Sequence, residues 1–84
     1  MNRHDSSLQS QNPISQAQNS VEKAHRAVTQ AQSHPTDTTL QQAHNAIEKA
    51  EHALDDASLS FNQAPVDQAR EALEDDKQAL AEME

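Results

Sequence analysis

The sequence predicts an all-α fold, an antiparallel up-down-up three-helix bundle with alanine-rich heptad packing. Three observations lead there. Shifted by 26 residues the chain lands on itself twice: Ile14, Leu40 and Val66 align, as do Ala17, Ala43 and Ala69, then Val21, Ile47 and Leu73, then Val28, Leu54 and Leu80. Such self-similarity defines the structural unit. Within each unit the stripe positions step by three and then four, through 14, 17, 21, 24, 28 and 31, then 40, 43, 47, 50, 54 and 57, then 66, 69, 73, 76, 80 and 83, all apolar but Asp76. That is the a/d pattern of an amphipathic helix. No segment alternates with period two, so no strand is expected.

Each element has its own start and stop signals. Residues 1–11, rich in Ser, Gln and Asn, read as a loose N-terminal tail, and the bundle occupies 12–84. Asn12 before Pro13 reads as an N-cap with proline in the first turn of a helix over about 13–32. His34-Pro35 stops it, because a residue before proline avoids the α region. Thr38 with Gln41, or Thr39 with Gln42, offers a capping box for a helix over about 38–58. Asn62 or Ala64 with Pro65 opens a third over about 63–82, where the missing proline N–H has no intrahelical partner to lose. Connections this short make the helices antiparallel neighbours. Leu59 and Phe61, in the second connection, are expected to plug one end of the bundle.

Residue size on the stripe sets the packing. Large aliphatics fill the a positions, while alanine fills nearly every d position and many g positions (Ala27, Ala46, Ala53, Ala72, Ala79). Alanine lets backbones approach and widens the stripe, so each helix can face two others. The cost is little apolar area per residue, so a stability of roughly 3–5 kcal/mol or less is expected of this single small core. Self-association would bury more.

Composition narrows the function classes. The chain has no Gly, Cys, Trp or Tyr, and Phe61 is its one aromatic. A glycine-rich phosphate cradle, a disulfide frame, a thiolate zinc site and a thiol nucleophile are thereby excluded. No apolar run approaches the roughly 20 residues of a membrane span, and Met1–Asp5 leads into no signal-type apolar core. The net charge is −8, with 12 acids against Lys49, Arg70 and Lys77 in residues 35–84. Phosphate backbones and anionic lipid are repelled by such a surface, so neither direct nucleic-acid binding nor membrane binding is expected.

Candidate chemistry is sparse. His44, Glu48 and His52 step by four along one flank of the second helix, but the two histidines lie about 12 Å apart along the axis, too far for one ion. A solvated face with Glu–His pairs four apart is the expectation, and His25 on the first helix reads as solvated by the same argument. No metal and no cofactor is expected. Glu71, Glu74, Asp75 and Asp76 concentrate charge on the third helix, as a candidate partner-binding surface. Paired carboxylates can act as acid and base only in a cleft, which a thin alanine-packed bundle scarcely offers. Asp76 falls at a d position where the other helices carry Ala24 and Ala50. Exposure by a roll of the third helix is the cheapest accommodation; a polar register marker and a partner-facing carboxylate are the others.

The segments Val21-Glu22-Lys23-Ala24-His25-Arg26-Ala27-Val28 and Leu40-Gln41-Gln42-Ala43-His44-Asn45-Ala46-Ile47-Glu48-Lys49-Ala50-Glu51-His52-Ala53-Leu54 resemble short helical proteins of Bacillus-type bacteria that form a domain of unknown function. The resemblance spans residues 19–82 and implies a cytosolic bacterial protein, with no functional residue to carry over. Thr36 to Leu54 and Pro65 to Leu80 are more weakly similar to FIVAR-type three-helix repeats of Gram-positive surface proteins. A non-enzymatic interaction or regulatory module with a basic protein partner is the leading expectation. A nucleic-acid mimic that occupies a DNA-binding protein and a cell-surface-type binding repeat are the alternatives.

Overall fold

A computed structural model describes residues 13–59 and 63–84. Their three apolar stripes form three α-helices: α1, Pro13–Ser33; α2, Asp37–Ala57; α3, Ala64–Met83. The helices run up, down and up, and every pair is in contact. The interface of α1 with α2 is the most extensive; α3 leans more on α1 than on α2.

The stripes supply the core. Buried positions are Ala17, Val21, Ala24, Val28 and Ala31 on α1, then Ala43, Ile47, Ala50, Leu54 and Ala57 on α2. On α3 they are Val66, Ala69, Leu73, Asp76 and Leu80. These are the a and d positions of the repeat, with Ile14, Leu40 and Met83 at its ends only partly buried. Ala27, Ala46, Ala53 and Ala79 pack against the core from the g positions, whereas Ala72 is exposed.

Helix ends depart from the sequence reading in instructive ways. The N-cap of α2 is Thr36, two residues before the Thr38–Gln41 pair and three before the Thr39–Gln42 pair that the sequence offers. Its hydroxyl accepts from the Thr39 N–H at 3.1 Å, and the Thr39 hydroxyl accepts from the Thr36 N–H at 2.9 Å. An N-cap needs non-helical backbone, and Thr36 has it at φ −128° and ψ 165°, directly after Pro35. Asp37 then falls in the first turn, where a carboxylate complements the helix dipole. At α3 the N-cap is Gln63, without a side-chain capping bond, and Ala64 lies inside the helix ahead of Pro65.

Leu59 does not plug the bundle; it is 87% exposed. The Ser58 N–H bonds back to the Leu54 and Asp56 carbonyls and turns the chain outward. Ala57 and Val66 close that end of the core instead. Gln63 spans the connection, its amide donating to the Ser58 carbonyl at 3.1 Å. Asn12, Phe61, Asn62 and the tail 1–11 lie outside the described residues.

Candidate functional site

Polar side chains tie α3 to both neighbours, and this is where the candidate residues fall. Asp76 is buried, not exposed: the residue keeps 6% of its accessible surface. Its Oδ1 sits 2.9 Å from Nδ1 of His25 on α1, while Oδ2 is buried with no hydrogen-bond partner among the described residues. Helix α3 has therefore not rolled to open the seam at Asp76. Instead the exposed His25 ring folds over the α1–α3 interface and supplies one donor to the carboxylate. His25 is thus more than a solvated residue, although 67% of its side chain remains accessible.

Sequence signals for this pair existed. Helices α1 and α3 are parallel, and two repeats of 26 make Asp76 the counterpart of Ala24. His25 is the next residue, at the e position that flanks a neighbouring helix. The pairing needed the up-down-up topology together with the repeat offset, not a motif.

On the other side of α3, Lys77 Nζ donates to Glu51 Oε2 of α2 at 2.6 Å and lies 3.7 Å from Glu74. The hydrogen bond to Glu51, then the charges of Glu51 and Glu74, raise the Lys77 pKa above its ordinary value of 10.5. Further along the same seam, His44 Nε2 contacts Glu84 Oε2. His44 is therefore engaged with the C-terminal residue rather than with Glu48. Glu48 and His52 are exposed, and neither bonds another side chain among the described residues, so the expected Glu–His pairs four apart are not made. Among the described residues no group of three or more His, Cys, Asp or Glu side chains is arranged to hold a metal ion.

The acidic candidates divide. Glu71, Glu74 and Asp75 are exposed on the outward side of α3, and only Glu74 has a cation nearby, Lys77 at 3.7 Å. Asp76 turns inward to His25. Clefts lined by the described residues run between each pair of helices. One, between α1 and α3, has Val21, Ala69 and Ala72 along its walls and Glu22, His25 and Asp76 as its ionisable groups. The second, between α2 and α3, lies over the Lys77–Glu51 and His44–Glu84 pairs. The third, between α1 and α2, carries Lys23 and Lys49 and no acid. No helix among the described residues is long and apolar enough to cross a membrane.

Compared with family models, curated proteins and solved structures, the chain shows no match.

Proposed function

We propose that this chain is a non-enzymatic interaction module that binds one protein partner through a basic surface on that partner. One observation carries the reading: Glu71, Glu74 and Asp75 stand exposed on the outer side of α3, and Glu71 and Asp75 have no ion-pair partner among the described residues. Unpaired charge on a rigid helix steers an oppositely charged surface into contact and fixes its register. A cytoplasmic location belongs to the same reading and follows from the family resemblance rather than from the fold.

The test is capture from a bacterial lysate at low salt, comparing the natural chain with a Glu71→Gln, Glu74→Gln, Asp75→Asn variant. The natural chain should retain a discrete basic protein that the variant releases. Retention of nothing above background by either chain would sink the reading. Capture of DNA-binding proteins in particular would favour the nucleic-acid mimic over a general regulator.

A further inference from the structure

Asp76 breaks a rule that the rest of the core keeps. It occupies the d position that Ala24 and Ala50 fill on α1 and α2, and it is the one buried charged residue among those described. A carboxylate has about four lone-pair sites, and the single N–H of His25 fills one of them. Oδ2 is left buried and unbonded, a state proteins seldom tolerate without a reason. The cations next to the pair in sequence, Arg26 and Lys77, face other carboxylates: Arg26 lies 3.5 Å from Glu22, and Lys77 lies 2.6 Å from Glu51. No donor among the described residues reaches Oδ2.

The surroundings say what kind of donor fits. Asp76 lies at the α1–α3 cleft, a space of about 480 Å³ with Val21, Ala69 and Ala72 as apolar wall and Glu22 as a second carboxylate. Ala72 is the one exposed member of its alanine set, so this wall is open to solvent. The His25 ring is largely exposed and holds its place by one hydrogen bond. Turning it outward breaks that bond and frees Oδ1 for another donor. An alkylammonium group matches the freed site. It carries three donors on one centre, enough for both Asp76 oxygens, and its methylenes cover apolar wall while the charge meets the carboxylate.

From this we infer that the α1–α3 cleft takes an aliphatic ammonium group, the side chain of a lysine on a protein partner, with Asp76 as its anchor and His25 as the residue it displaces. The inference rests on the interaction-module reading above and names the anchor for it. It also accounts for an acid where the repeat carries alanine: stability is given up for a binding group.

Two-dimensional amide NMR of the intact protein tests this, with Nα-acetyl-lysine methylamide as the probe and its norleucine counterpart as a neutral control. The lysine probe should give saturable shifts confined to residues near His25, Ala72 and Asp76, and the norleucine probe none there. Asp76→Asn should weaken binding by about tenfold or more, the loss typical of removing one partner of a desolvated charge pair. Asp76→Ala should abolish it with the fold retained, because alanine is what the repeat places at this position. Shifts that persist in Asp76→Ala, or that centre on Glu71, Glu74 and Asp75, would overturn the inference. A lysine-rich peptide run in parallel separates the two readings. Peptide binding that survives Asp76→Ala removes the anchor and leaves the module reading standing, whereas failure of both peptide and probe removes both.

Discussion

His25 and Asp76 form one pair in two very different settings, and the difference decides what each substitution does. Removing Asp76 leaves behind an exposed imidazole that water can solvate, so no buried charge is orphaned. The usual penalty for breaking a buried pair, about 3–5 kcal/mol, therefore does not apply to that change. Asp76→Ala loses one hydrogen bond but also removes the unbonded Oδ2 and improves helix propensity. It should stabilise the bundle by about 0.5–1 kcal/mol. His25→Ala is the opposite case, because it strips from a buried carboxylate its one donor among the described residues, and it should destabilise by about 1–3 kcal/mol. Urea denaturation of both variants checks the order. A loss above about 2 kcal/mol for Asp76→Ala would show that the pair holds α3 in place, since relieved burial cannot give that sign. The polar position was legible in the sequence as a break in the alanine pattern. Its burial was not, because the heptad says where a residue points but not whether a side chain from the next helix can reach it.

At the scale of single helices, the stripe and the caps were unequally readable. The three-and-four step named the buried residues of all three helices because a period over six positions averages out local exceptions. Caps rest on one residue and its backbone angles, and four residues able to cap, Thr36, Asp37, Thr38 and Thr39, follow Pro35 in a row. The exposure of Leu59 has a related cause: an apolar residue just past a helix end goes where the C-cap turn sends it. Thr36→Ala should cost about 1 kcal/mol by removing the N-cap acceptor of α2, while Thr38→Ala should stay within about 0.5 kcal/mol. Equal losses from the two in thermal melts would refute the Thr36 cap. The α2–α3 seam adds a pH dependence of known sign. Lys77 has a pKa raised in the folded chain, first by its bond to Glu51. Its contribution is therefore complete below the unfolded value of 10.5 and is lost as pH climbs through the higher folded value. Lys77→Met should flatten the fall in urea midpoint on the alkaline side of 10.5. An unchanged alkaline limb would mean that the exposed pair with Glu51 contributes nothing measurable.

For the whole molecule, a thin core carries a large unbalanced charge. Leu54, Leu73, Val28 and Val66 are the largest fully buried side chains, and half of the buried apolar core is alanine. Against a margin of roughly 3–5 kcal/mol, repulsion within a chain of net charge −8 is a substantial opposing effect. Most of that charge lies on α2 and α3, whose mutual interface is the thinnest of the three. Two effects then respond to salt with opposite sign. Screening weakens the exposed Lys77–Glu51 and His44–Glu84 contacts, but each is worth little in water. It also weakens repulsion among the many acids spread over distances that a Debye length of about 30 Å spans at 0.01 M and one of about 8 Å does not at 0.15 M. The repulsion involves more pairs, so it should dominate. Sodium chloride raised over that range should therefore move the urea midpoint upward, urea being uncharged and leaving ionic strength to the salt. The shift should be independent of protein concentration, because salt-driven association would make it rise with concentration. A midpoint that falls with salt would mean that the few inter-helix ion pairs outweigh the excess of acids, and that α3 is clamped by them rather than by its apolar stripe.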